Sequence, residues 1–129
     1  MPFRILAGVL GAFFLIQGLQ WLATPESAAA ALSMPLLDGM ARSTQIGDIS
    51  GFFLCLGGFA LYGAYSQQGT WLRAAGLLVG LVGVTRTIAW AAQGADFATQ
   101  FIVIEFVAGA FLTFSAMQIE AGASTHNDA

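Results

Sequence analysis

The sequence predicts an all-α integral membrane protein, an antiparallel bundle of four transmembrane helices with a short interfacial helix in the first loop. Hydrophobic residues make up 57% of the chain and charged residues only 9%, whereas about a quarter of an average soluble protein is charged. Four stretches are mostly apolar and reach the length of about 20 residues that a helix needs to cross the hydrocarbon. Short polar turns join the last three stretches, so these helices should be antiparallel.

Hydropathy sets the four predicted spans, and turn chemistry sets their boundaries. Residues 66–69 and 93–96 are polar turns that contain glycine. The predicted spans cover residues 5–23, 45–65, 71–92 and 99–117. We therefore expect one transmembrane domain over residues 1–119.

The first connection is longer and carries its own helix signals. Thr24 is a candidate N-cap, Pro25 suits the first helical position, and Glu26 suits the first turn. Pro35 should then stop the helix. We expect a short helix over residues 25–34 on the membrane surface.

The two ends of the chain carry different signals. Residues 120–129 are small and polar with nothing to bury, which predicts a disordered tail. Near the start, Arg4 precedes an apolar run, and residues 28–30 are alanines, a pattern that also fits a secretory signal with its cleavage site. The run is long for a signal core, and its removal would take one helix from the bundle, so we favour a transmembrane helix.

The few charges indicate an orientation and exclude one class of partner. Arg4 and Arg73 flank one side of the predicted bundle, and Arg42 lies on the other side with three acidic residues. The positive-inside rule then favours both termini in the cytoplasm. The chain has no lysine and a formal net charge of −3, so we expect no nucleic-acid binding.

Three formal charges lie within the predicted spans, where a charge is costly unless it is paired or hydrated. They are Asp48 in the second span, Arg86 in the third and Glu105 in the fourth. With a rise of about 1.5 Å per residue, Asp48 lies roughly 5 Å and the other two roughly 9 Å below the same membrane surface. Gln17 in the first span also lies roughly 9 Å deep. All four helices thus place one polar group in a single layer.

Small residues mark the helix faces on which neighbours approach closely in membranes. Gly76 shares its face with Arg86, and Gly47 and Gly51 lie on either side of Asp48. These phases predict that the charged groups face one another.

We expect Arg86 to bridge Asp48 and Glu105 through its planar guanidinium. This arrangement leaves one negative charge unneutralised, and the simplest remedy in a low-dielectric site is to protonate one acid. Glu105 is the better candidate because it lies deeper in the membrane.

Two interpretations of this layer stay open. Ionisable groups in a membrane interior are candidates for a site that binds a proton, an ion or a small polar ligand. The alternative is that the layer only holds the four helices in register. The candidate ligand- or proton-binding residues are Asp48, Arg86, Glu105 and Gln17, with Arg42, Gln45 and Trp90 expected around them.

The sequence lacks the residues that several chemistries need. His126, the single histidine, lies in the tail, and Cys55, the single cysteine, lies in an apolar run where a small buried hydrophobe is expected. No disulfide, metal site, cofactor or catalytic residue is therefore predicted. The aromatic pairs at residues 13–14 and 52–53 are interpreted as lipid-facing or core residues.

Residues 42–53, with the sequence RSTQIGDISGFF, are followed by an arginine late in the third span and a glutamate early in the fourth. This pattern resembles small four-helix bacterial membrane proteins of unknown function and is more distantly similar to DoxX-like proteins. The resemblance covers nearly the whole chain up to the tail. It implies a bacterial inner (plasma) membrane location and no settled activity.

The sequence leaves three functions open. The first is a small transporter or channel-like protein in which Glu105 and Asp48 exchange a proton or bind a polar or cationic solute beside Arg86. It requires an oligomer, because one four-helix unit leaves little room for a pathway. The second is a non-catalytic accessory or assembly subunit of a membrane complex. The third, ranked last, is an enzyme that uses the two carboxyls as acid and base. Expected partners are membrane lipids and a second copy or another membrane protein.

Overall fold

The computed structural model describes residues 2–128, and within them the secondary structure consists of five helices and no strand. The helices are α1 (Pro2–Ala23), α2 (Pro25–Ala31), α3 (Gly39–Ser66), α4 (Gly69–Gln93) and α5 (Thr99–Asn127). All except α2 are long and apolar enough to cross a membrane, by length and composition. The predicted helical bundle with four membrane-spanning helices is confirmed.

The four long helices form two packed pairs. α1 packs along α3, α4 packs along α5, and contacts between α3 and α4 join the pairs. Phe3 of α1 also meets Phe114 of α5, with ring centroids 5.3 Å apart. We call the end of the bundle that carries Phe3 and Phe114 the terminal end, and the opposite end, which carries α2, the α2 end.

Glycines allow the close approach within each pair. A Cβ at Gly57 of α3 would lie 2.5 Å from the backbone nitrogen of Leu15 in α1. A Cβ at Gly76 of α4 would lie 3.0 Å from the carbonyl oxygen of Gly109 in α5. The packing face predicted around Gly76 is therefore confirmed, and its neighbour is α5.

The packing face predicted around Gly47 and Gly51 is wrong. Both glycines are exposed, and nothing lies within 4 Å of a Cβ placed on either. Cys55, one turn further along this face, is also exposed rather than buried as expected. The physical reason is helical phase, because α3 turns the face that carries Gly57 toward α1 and leaves the other outside.

The short helix of the first connection is present and ends earlier than expected. It covers Pro25–Ala31, and Ser33 just beyond it has a φ of 60°, a left-handed conformation that ends the helix before Pro35. Thr24 precedes the helix but does not cap it with its side chain. Its hydroxyl instead donates to the Gln20 carbonyl in α1, over 3.4 Å.

α5 continues beyond the apolar segment. It ends at Asn127, through residues for which a disordered tail is predicted. No proline interrupts the chain after Glu120, alanine favours helix, and the Ser124 hydroxyl donates to the Glu120 carbonyl over 3.2 Å. The side chains of this last part are exposed. The domain boundary at residue 119 stays a prediction.

Candidate functional site

A cavity of about 490 Å³ lies between the helices toward the α2 end. Its volume falls within the range of about 300–1,000 Å³ that is typical of small-molecule sites. Each of the five helices contributes to the lining, which is mostly apolar and contains the phenylalanines Phe13, Phe14, Phe52, Phe53 and Phe101. The aromatic pairs interpreted as lipid-facing or core residues therefore also form the wall of this cavity.

The cavity brings together four polar side chains that the sequence places in one layer. Gln17 of α1, Asp48 of α3, Arg86 of α4 and Glu105 of α5 all contribute to its lining. The chain runs in alternating directions through these helices, so similar depth in each span puts the groups at one level. Whether they bind a ligand or a proton stays a prediction.

One ion pair organises the polar part of the cavity. Arg86 Nε donates to Glu105 Oε1 over 2.8 Å and so links α4 to α5. The Glu105 side chain is 13% exposed and that of Arg86 is 32% exposed. The guanidinium carbon of Arg86 also lies 4.9 Å from the ring centroid of Phe101, which provides a cation–π contact.

Only one of the two carboxylate oxygens of Glu105 accepts a hydrogen bond within the described residues. Its Oε2 atom is buried and receives no hydrogen bond from residues 2–128. A buried acceptor without a donor is uncommon in folded proteins, and it is costly in surroundings that exclude water. The described chain therefore leaves the hydrogen-bonding capacity of this oxygen unused.

The predicted bridge from Arg86 to both acids is wrong for Asp48. Within the described residues Arg86 pairs with Glu105, and Asp48 forms neither an ion pair nor a hydrogen bond. Asp48 is exposed and lies at the rim of the cavity, because its part of α3 turns away from the other helices. Two carboxyls thus share the cavity with one paired arginine.

Gln45 holds the backbone of the segment that joins α2 to α3. It is buried, its Oε1 accepts from the Leu37 amide over 2.9 Å, and its Nε2 donates to the Pro35 carbonyl over 3.0 Å. These bonds fix the segment after α2, from which Met34 reaches the cavity lining. Gln45 therefore positions one wall without touching the polar groups.

Arg42 and Trp90 lie away from the cavity. Arg42 donates to the Leu37 carbonyl over 2.6 Å and to Asp38 over 2.9 Å, beside a separate surface pocket next to α2. Trp90 is half-exposed and packs against Phe97, with ring centroids 5.0 Å apart. Neither is among the described residues that line the cavity, and the expectation that both surround the polar groups stays a prediction. Both lie near the last or first turn of their helices, where the fold directs them to the surface.

The contact between Arg86 and Phe101 was not predicted from the sequence. Phe101 precedes Glu105 by one helical turn, and this i to i+4 spacing is the signal that could have indicated it. No cluster of three or more metal-binding side chains was found within residues 2–128.

These features define a multi-pass membrane protein with four candidate membrane-spanning helices around one cavity of mixed polarity. The family model described as a domain of unknown function, DUF4345, matches residues 2–116. The chain therefore belongs to the DUF4345 family. Neither the comparison with curated proteins nor the comparison with solved structures gave a match. Membership of a family without an assigned activity agrees with the resemblance noted above, whereas similarity to DoxX-like proteins stays a prediction.

Proposed function

We propose that the protein is a small transporter or channel-like protein of a bacterial inner membrane, and that solute or proton passes through the cavity at the α2 end. Glu105 and Asp48 exchange a proton or hold the solute beside Arg86. The observation that carries this proposal is the buried Oε2 atom of Glu105, which has no donor within residues 2–128 although Oε1 is bound to Arg86.

A second ion pair between the same helices supports a role in binding. At the terminal end Arg73 binds both oxygens of Glu120, as expected of a pair that only joins two helices. Arg86 binds one oxygen of Glu105. The remaining oxygen is buried and has no donor within residues 2–128, and Glu105 lines a cavity of small-molecule size, so this pair has capacity for a further partner.

The exposed face of α3 supports an oligomer. Gly47, Gly51 and Cys55 form a row of small residues on that face, and small residues favour close helix contacts in membranes. A second copy on this face would provide the additional helices that a pathway requires. Arg4 and Arg73 both lie at the terminal end, which favours both termini in the cytoplasm.

The same face also favours the second candidate, a non-catalytic accessory or assembly subunit of a membrane complex. In that case another membrane protein packs on the row of small residues. The Arg86–Glu105 pair then joins α4 to α5, and the cavity carries no solute.

Solute movement from proteoliposomes tests the proposal. Liposomes that contain the protein are loaded with an alkylamine, a carboxylate and a neutral polyol, and a pH gradient is imposed. Mass spectrometry then follows the loss of each solute. We expect at least one solute to leave faster than from protein-free liposomes, because Glu105 can exchange a proton for it.

Two matched variants serve as the comparison. Glu105→Gln should abolish this movement while the protein stays folded, because the amide keeps the shape of the side chain but cannot exchange its charge. Glu120→Gln, the same change outside the cavity, should retain it. Equal movement with wild type, Glu105→Gln and protein-free liposomes would contradict transport and favour the accessory subunit.

A further inference from the structure

The charge balance of the cavity favours a cationic ligand. Arg86 contributes one positive charge, and Asp48 and Glu105 contribute two carboxyl groups. With both acids ionised, the site carries one surplus negative charge, which an anionic ligand would increase and a cation would remove. A bound cation therefore replaces the proton that would otherwise neutralise one acid.

The carboxyl groups of the cavity favour a ligand that donates hydrogen bonds. Glu105 Oε2 is a buried acceptor without a donor in the described chain, and the Asp48 carboxylate has no partner there either. An ammonium group offers three N–H donors and no acceptor. It can donate to more than one carboxylate oxygen and adds no acceptor that would compete with the carboxyls for Arg86.

The rest of the lining favours an apolar and aromatic body. Apart from the four polar residues, apolar side chains form the wall, and five of them are phenylalanines. Phenylalanine rings bind apolar groups and also attract cations to their faces. A strongly hydrated polar solute would lose its water without compensation over most of this surface.

Part of the cavity wall also belongs to the outer surface of the bundle. Phe13 of α1 and Ile104 of α5 both line the cavity and are each 50% exposed. α1 meets α5 near the terminal end, through Phe3 and Phe114. These exposed lining residues of α1 and α5 favour entry of an apolar molecule from the membrane between the two helices toward the α2 end.

We propose that the ligand of this cavity is a lipophilic amine, with an apolar or aromatic body and one protonated amino group that binds between Glu105 and Asp48. This inference rests on the proposed function and names the solute class for the same site. The apolar body lies against the phenylalanines, and the amine and a proton compete for the same acids.

Binding of three matched probes tests the proposal. Phenylbutylamine, phenylbutanol and phenylbutyrate share one body and differ in a cationic, neutral or anionic end. Their binding to the protein in lipid nanodiscs is measured by equilibrium dialysis near neutral pH, with empty nanodiscs subtracted. An alkylamine is protonated under these conditions, as lysine is. We expect the amine to bind at least about tenfold more tightly than either other probe, as expected when a charge-assisted hydrogen bond is gained.

Matched variants locate the binding. Glu105→Gln and Asp48→Asn should each weaken amine binding about tenfold or more. Glu26→Gln and Asp96→Asn change exposed acids outside the cavity and should leave it unchanged. Asp48 is itself exposed and unpaired in the described chain, so its variant tests the site even where Glu105→Gln fails to fold. Tightest binding of phenylbutyrate, or amine binding that survives both cavity variants, would overturn the proposal.

The two proposals fail in different ways. Amine binding that depends on Glu105 and Asp48, without movement of any solute from proteoliposomes, supports the ligand class and contradicts transport. Movement of the carboxylate or polyol without amine binding overturns the ligand class and leaves transport standing.

Discussion

Two arginine–glutamate pairs join α4 to α5, one at each end of the bundle, and they differ in how completely they are satisfied. At the terminal end Arg73 binds both oxygens of Glu120, and both side chains are more than two-fifths exposed. At the α2 end Arg86 binds one oxygen of Glu105, whose side chain is 13% exposed. The same two residue types therefore form a closed surface pair and an incomplete pair inside a cavity.

This difference separates structural pairing from capacity to bind. An exposed ion pair contributes little to stability, because water and salt screen it and its long side chains lose freedom. A shielded carboxylate with one unused oxygen is a cost to the folded protein unless something binds there. We therefore propose that Glu105 binds a ligand and that the Arg73–Glu120 pair only joins the two helices.

The largest expected effect is that of Arg86→Ala, which leaves the shielded carboxylate of Glu105 without its cation. We expect a loss of about 2–4 kcal/mol in the free energy of unfolding, below the upper range for fully buried pairs because Arg86 is partly exposed. Arg73→Ala should cost much less, because its partner is already in water. Thermal unfolding in detergent measures both.

A double variant provides the control for this comparison. Arg86→Ala combined with Glu105→Gln should be more stable than Arg86→Ala alone, because no shielded carboxylate of Glu105 is left unpaired. If the single and double variants lose the same stability, the loss comes from packing. The result would then contradict a stabilising interaction between Arg86 and Glu105.

A smaller effect on stability is expected when glycine is replaced by alanine at two positions in α3. Gly63 lies toward the packed terminal end, where a Cβ would sit 2.9 Å from Leu72 Cγ and 3.0 Å from the Leu72 backbone nitrogen. Gly63→Ala should therefore cost about 1–3 kcal/mol of stability. Gly51→Ala toward the α2 end meets nothing within 4 Å in the single chain, so it should cost less than Gly63→Ala, and any cost would come from the helix contact proposed on this face. Thermal unfolding again decides, and equal losses would indicate that another molecule packs on the exposed face of α3.

The smallest expected effect is the dependence of the exposed pair on salt. The screening length falls from about 10 Å at 0.1 M to about 3 Å at 1 M ionic strength. The small stability difference between wild type and Arg73→Ala should therefore shrink toward zero in concentrated salt. The larger difference caused by Arg86→Ala should persist, because the cavity shields that pair. If the stability losses caused by Arg73→Ala and by Arg86→Ala both disappear in concentrated salt, both ion pairs lie in water.

Much of the fold follows from hydropathy, length and turn chemistry. The four spans and the short helix are found where the sequence predicts them, with boundaries that shift by up to six residues, except that α5 continues to Asn127 rather than ending at residue 117. The largest shift at a helix start is in α3, which begins at Gly39 rather than at residue 45, because its first turns are polar and hydropathy alone does not detect them. Extensions of this kind depend on local contacts such as those of Gln45 with the preceding loop.

The site was only partly predictable. Depth along each helix places Gln17, Asp48, Arg86 and Glu105 at a similar level because helix rise is constant, and all four line the same cavity, whereas their role as a binding site stays a prediction. The sequence did not predict the rotation of each helix about its axis as well. Several faces of these helices carry glycines, and any of those faces could have packed against a neighbouring helix. The structure turns Gly57 rather than Gly51 toward α1, and this rotation leaves Asp48 at the rim and out of reach of Arg86.

The central claim is that Glu105 keeps one carboxylate oxygen without a partner in a cavity that small molecules reach from the membrane, whereas Arg73 binds both oxygens of Glu120. Treatment of the protein in lipid bilayers with a lipid-soluble carbodiimide, which reacts with carboxyls that have taken up a proton, tests this directly. Mass spectrometry of the resulting peptides then locates the adduct. We predict an adduct on Glu105 and none on Glu120. An unmodified Glu105, or modification of both glutamates to the same extent, would contradict the account.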